Sequence, residues 1–90
     1  MTRAPRPDRA LAAAVACERA RRGMSREALA FRSGVMPRTV QHVERAEIVP
    51  RWDTVRRLAR GLGLTLVELV EAVERRETAA RAGVEEGPVA

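Results

Sequence analysis

The stretch GVMPRTVQHVERAE, residues 34–47, decides how this chain is read. Pro37 suits the first position of a helix, where its missing N–H costs no intrahelical hydrogen bond and its fixed φ is already helical. Val40 and Val43 then share one side of that helix. At about 100° per residue, Arg38 and Arg45 point almost opposite to them, flanked by Gln41 and His42. A short helix thus presents four donor-bearing side chains opposite a two-valine stripe. Such a face is either an ordinary solvated surface or a recognition surface, and the neighbouring sequence must choose between them.

Punctuation on both sides divides the chain into five helices. Asp8 caps helix 1, which runs to about Arg22 and is ended by Gly23. Ser25 caps a short helix 2 that reaches about Arg32, with Met24 and Leu29 at the two positions of a hydrophobic staple. The turn SGV, residues 33–35, leads into helix 3, about residues 37–45. Helix 4 spans about Trp52 to Leu62 and stops at Gly63. TLVE, residues 65–68, is a capping box with Thr65 as cap and Glu68 reaching back, and Leu64 and Leu69 form its staple. Helix 5 carries Leu66, Leu69, Val70 and Val73 at helical spacing toward the core. After about Glu77 the pattern fades. The domain is therefore expected over residues 8–76, with residues 1–7 a flexible basic arm and residues 77–90 a frayed or disordered tail.

Composition agrees with an all-α chain. Ninety residues make one small domain, near the lower range in which a hydrophobic core suffices. Alanine, leucine, glutamate and arginine dominate, aromatic residues are almost absent, and β-branched residues never alternate with polar ones over a useful run. The single cysteine, Cys17, excludes an internal disulfide and fits a reducing, cytoplasmic setting. The opening MTRAPRPDRALAAAVAC superficially resembles a lipoprotein signal. Its apolar run is short and mostly alanine, with Asp8 and Arg9 against it, so it reads as helix 1 of a chain without a membrane span.

Charge is uneven along the chain. Residues 1–60 hold fourteen arginines against six acids, whereas residues 61–90 hold three against six. Positive charge gathered in one part is the footprint of a phosphate-binding surface. The complete absence of lysine admits a second explanation, a genome that spells its basic residues as arginine. Charge alone leaves the two level.

Two short helices joined by a glycine-containing turn, and followed by two more, form a helix-turn-helix signature. In RRGMSREALA, SGV, TVQHVE, the proline six residues after that glutamate, and DTVRRLARGLGLTLVEL, the chain resembles the Cro/lambda-repressor-type (XRE) DNA-binding domain. The resemblance runs from about Leu11 to Val70. It implies a compact five-helix lambda-repressor-like bundle whose helix 3 lies in the major groove of double-stranded DNA. Base-edge contact is then implied for Pro37, Arg38, Gln41 and His42, since arginine matches guanine O6 and N7 and glutamine matches adenine. Phosphate contact is implied for Ser25, Arg26, Arg45 and Arg51, with Arg26 standing where the family usually has glutamine. Arg3 and Arg6 can follow the groove as an arm.

Several positions depart from the family pattern. Met36 replaces the serine or threonine that usually caps helix 3, and Ala46 replaces the glycine that usually follows it. Ile48 and Val49 occupy a loop that is commonly polar or basic. Phe31 stands at a usually exposed position, where it either marks a partner surface or packs under the N-terminal arm. Glu18 falls where an apolar residue is common.

Arg19 extends the apolar stripe Leu11–Val15, and Glu44 follows Val43 on the flank of helix 3. Charges drawn toward a core need partners, because desolvation disfavours them unpaired. The resemblance points to the same couple, so Arg19 and Glu44 are expected to form a structural ion pair. The remaining core is expected from Leu11, Val15, Leu29, Val35, Val40, Val43, Trp52, Val55, Leu58, Leu62, Leu66 and Leu69, with Trp52 as a plug between helices.

Enzyme chemistry finds no support. His42 has no nucleophile or carboxylate partner arranged for acid–base work and its neighbours are basic, GLGL (residues 61–64) is too short for a dinucleotide fingerprint, and metal ligands are too few. No cofactor is expected. Two functions remain. One is a sequence-specific transcriptional regulator, a repressor acting as a homodimer through helix 5, where Val67 and the flank around Leu64 are left for a partner. The other is a protein-interaction module of the same fold, a toxin-binding antitoxin or polymerase-binding regulator, with DNA binding weak or secondary.

Overall fold

The computed structural model describes residues 6–83. They form α1 (Arg9–Arg21), α2 (Arg26–Ser33), α3 (Pro37–Glu44), α4 (Trp52–Gly61) and α5 (Leu66–Arg81), with no strand among the described residues. Local chemistry sets most of the boundaries. Asp8 Oδ1 accepts from the Leu11 amide at 3.0 Å, and Ser25 Oγ accepts from the Ala28 amide at 3.0 Å. At α5 both halves of the capping box are made, Glu68 N to Thr65 Oγ1 at 3.0 Å and Thr65 N to Glu68 Oε1 at 2.8 Å. α2 ends where Gly34 takes a left-handed conformation, φ 67°. α3 lacks any side-chain cap at Met36 but begins with Pro37. α5 continues to Arg81, past the Glu77 boundary that the fading apolar pattern predicts for the tail. Its last turns are supported locally, by an Arg81–Glu77 pair at 2.8 Å. Residues 1–5, with Arg3, and residues 84–90 lie outside the described residues.

α1 packs on α3 and α5, α2 on α3 and α4, and α4 on α5. The core between them is built from Val15, Leu29, Val40, Val43, Leu58, Leu62 and Leu69, all essentially without exposure. Met24, Val35, Ile48, Val55, Leu64 and Val73 pack against it, half-buried. Three expected members are not there. Trp52 is 61% exposed. It stands one turn before Val55 on the same stripe, but the part of α4 that meets the core begins at Val55, so the first turn overhangs it. Leu66 is only half-buried and outside the core cluster, and Val70 is exposed. α5 instead buries a narrower stripe, Leu69, Ala72 and Val73, while Leu64, expected to be left for a partner, belongs to the packed side.

Glu18 shows how a charge sits on the inner side of α1. Its carboxylate takes Arg22 Nη1 at 2.6 Å and Arg21 Nη1 at 3.2 Å. The hydrogen bond from Arg22 holds its pKa below the usual carboxylate value, helped by the fields of Arg21, Arg22 and Arg75 and opposed by burial. α1 therefore accepts an acid where an apolar residue is common, by supplying its own cations one turn on.

Candidate nucleic-acid interface

α3 buries Val40 and Val43 and turns Pro37, Arg38 and Arg45 outward, with Gln41 and His42 half-buried beside them. Arg38 has no hydrogen-bond or charge partner among the described residues, so its guanidinium is free at the N-terminal end of the helix. Its neighbours are tethered. With the Gln41 amide oxygen facing the guanidinium, it accepts from Arg45 Nη1 at 2.9 Å and Nη2 at 3.2 Å. His42 Nδ1 lies 2.8 Å from Glu47 Oε1. The face thus holds one unpaired cation beside two braced pairs.

Glu47 is a residue that sequence reasoning missed. It reaches His42 because of how α3 ends. Ala46 N–H donates to Val43 O at 3.1 Å and Glu47 N–H to His42 O at 2.9 Å, the paired bonds of a Schellman motif. That motif needs a left-handed residue, and here it is Ala46, φ 54°. A side chain in that region costs about 1 kcal/mol relative to glycine. Ala46→Gly should therefore raise stability by about 1 kcal/mol in a urea titration, and an unchanged midpoint would show the strain to be absorbed elsewhere.

The other cations come from helix beginnings. The first two amides of α2, Arg26 and Glu27, have no intrahelical acceptor, and Ser25 uses its hydroxyl on Ala28. Arg51 is the exposed N-cap of α4, and its side chain has no partner among the described residues. Arg57 was not anticipated. It pairs with Asp53 at 3.2 Å and donates from Nη1 to Gly34 O at 3.3 Å, bringing α4 to the turn between α2 and α3.

Arg19 and Glu44 meet in a forked ion pair, Nε to Oε2 at 2.7 Å and Nη2 to Oε1 at 3.0 Å. Arg19 Nη1 also donates to Met24 O at 2.8 Å, which ties the α1–α2 turn into the same node. Hydrogen bonding to Glu44 raises the Arg19 pKa above its ordinary value, against the opposing effect of burial. Arg26 joins the pair, its Nε 3.0 Å from Glu44 Oε1, a contact that spacing alone does not reveal.

A helix-turn-helix domain profile matches residues 10–73, from α1 into α5. The chain belongs to the helix-turn-helix domain family. It is a DNA-binding transcriptional regulator. Among solved structures, this helix-turn-helix domain is similar to the restriction-modification controller protein C.AhdI from Aeromonas hydrophila. The identity is 30% and the TM-score 0.65, over 68% of this chain and 92% of that one. The clp gene regulator ClgR from Corynebacterium glutamicum matches with TM-score 0.78 at 23% identity, over 88% of this chain and 84% of that one. The wild-type restriction-modification controller protein C.Esp1396I matches with TM-score 0.72 at 19% identity, over 77% and 88%. At such identities the last two share the fold. No curated protein sequence matches the domain significantly. No helix among the described residues is long and apolar enough to cross a membrane.

Proposed function

We propose that this helix-turn-helix domain, residues 8–76 as a working unit, is a cytoplasmic, sequence-specific repressor that reads the major groove of double-stranded DNA with α3. The observation that carries the proposal is the unpartnered Arg38 at the leading end of α3, beside the braced Gln41–Arg45 and His42–Glu47 pairs. In this reading Pro37, Arg38, Gln41 and His42 meet base edges. Ser25, Arg26, Arg45 and Arg51 meet phosphates, with the free first-turn amides of α2 adding to that anion contact. The role is binding, and no catalytic step or cofactor belongs to it. Arg38→Ala should cost about 1–3 kcal/mol on the preferred site and relax preference at one base pair. Selection of bound sequences from a random duplex pool measures this, and unchanged preference would remove Arg38 as a base reader.

A domain of this size gains specificity by reading two half-sites, about 34–36 Å apart. The proposed homodimer uses the outer face of α5, where Val67 and Val70 are 66% and 41% exposed. Val67→Glu with Val70→Glu should abolish cooperative binding to paired half-sites while leaving single half-site affinity intact. A wild-type chain that sediments as a monomer and binds one half-site without cooperativity would reject the dimer.

One observation favours a second reading, a protein-interaction module that binds a toxin or a polymerase subunit. Phe31 and Met36, 89% and 70% exposed, line a shallow apolar surface with Ala30, Val35 and Pro37. The packing of Phe31 under the arm lies outside the described residues. Salt-dependent duplex binding separates the two readings.

A further inference from the structure

From the node at Glu44 we infer that this carboxylate is a positioning residue for DNA binding, holding Arg26 so that its two Nη groups face a backbone phosphate. The inference rests on the reading of Arg26 as a phosphate-facing residue and goes beyond it. Glu44 is the most enclosed charge of the interface, its side chain 2% exposed, and it lies at the last residue of α3. Its oxygens accept three hydrogen bonds. Two come from Arg19, which is 17% exposed and points inward; the third comes from Arg26 Nε.

Arg26 differs from Arg19 in one decisive respect. It is the first residue of α2, its side chain is 43% exposed, and only Nε is engaged, so both Nη groups lack a hydrogen-bond partner among the described residues. A guanidinium is planar and rigid. Anchoring Nε therefore fixes where the Nη groups point, which a bond to a terminal nitrogen would leave freer. Arg26 belongs to the first turn of α2, where free amides and the helix dipole already favour an anion. A carboxylate this near a DNA surface would repel phosphate if it were bare. Here two guanidiniums share it, so the node carries one net positive charge and delivers it through Arg26.

The arrangement depends on the fork. Lysine at position 26 has one ammonium, which can sit on Glu44 or on a phosphate but cannot bridge them. Arg51 supplies the comparison, since its side chain has no partner among the described residues and nothing orients it.

The test measures duplex affinity against salt for Arg26→Ala, Arg26→Lys and Arg51→Lys, with folding checked by thermal denaturation. Arg26→Ala should weaken binding roughly tenfold, as expected for losing one charged hydrogen-bonded contact. It should also lower the slope of log affinity against log salt by about 0.9. Arg26→Lys should fall to the same level although its charge is kept, while Arg51→Lys should retain the wild-type slope. An Arg26→Lys chain that binds like wild type would overturn the positioning role and leave the phosphate reading standing. A drop in both lysine variants would show that phosphate itself demands guanidinium, which also removes any role for Glu44. An Arg26→Ala chain with unchanged affinity and slope would overturn the phosphate reading of Arg26 and the inference with it.

Discussion

Glu44→Ala should destabilise the fold by about 3–5 kcal/mol, the usual cost of leaving one partner of a buried pair alone. The reason lies in the exposures. Glu44 is 2% and Arg19 17% exposed at the side chain, so removing the carboxylate strands a guanidinium whose one other hydrogen bond among the described residues is to Met24 O. With so little of the Arg19 side chain exposed, water offsets only part of what is lost. Arg26, more exposed, adds little to this cost because solvent replaces Glu44 for it. In a domain of this length the loss corresponds to a fall in Tm of more than about 12 °C. The variant Arg19→Met with Glu44→Leu should be far less destabilised than Glu44→Ala, since apolar residues need no partner. A loss below about 1 kcal/mol for Glu44→Ala would mean that the pair behaves as a wet one.

Gly61→Val should cost about 3 kcal/mol or more, at the upper end of what overpacking a core produces. Helix propensity argues the other way, because glycine inside a helix is about 1 kcal/mol worse than alanine. Packing wins here. A Cβ at Gly61 would overlap Ser33 Oγ and approach Ser33 Cβ to 3.0 Å and Leu29 Cδ1 to 3.1 Å. Glycine is what lets α4 lie against the last turn of α2. Ser33 Oγ, beside this close approach, is buried without a hydrogen-bond partner. Ser33→Ala should accordingly be neutral or mildly stabilising, and it should recover part of the cost of Gly61→Ala, leaving the tight Cβ and Leu29 contacts. Equal stability of Gly61→Val and wild type in urea would disprove the close approach.

What can be read from the chain, and what cannot, divides along the range of the interaction. Asp8, Ser25 and the Thr65–Glu68 box are legible because a cap is decided within three residues. The stripe through Val40 and Val43 is legible because one face of one helix must be apolar. Trp52, Leu66 and Val70 mislead because periodicity identifies a face but not how far along the helix a neighbour extends. In the interface, the meeting of Arg19 and Glu44 is legible because Arg19 extends one apolar stripe, Glu44 flanks another, and the family resemblance points to the same couple. Arg26 at the same carboxylate depends on how closely α2 approaches the end of α3, and no spacing in the sequence encodes that distance. Glu47 beside His42 depends on a left-handed backbone at Ala46, the family's glycine position, and no spacing in the sequence shows which side chain that turn returns to α3.

The contact from Arg57 to Gly34 O matters beyond its single hydrogen bond. It grips the turn between α2 and α3 from α4, while Glu44 joins the opposite ends of the same two helices through Arg26. Clamped at both extremities, α2 and α3 have little freedom to pivot about their connection. The reading head arrives preassembled, so the ordering entropy of docking falls on side chains and on the duplex rather than on the backbone of the protein.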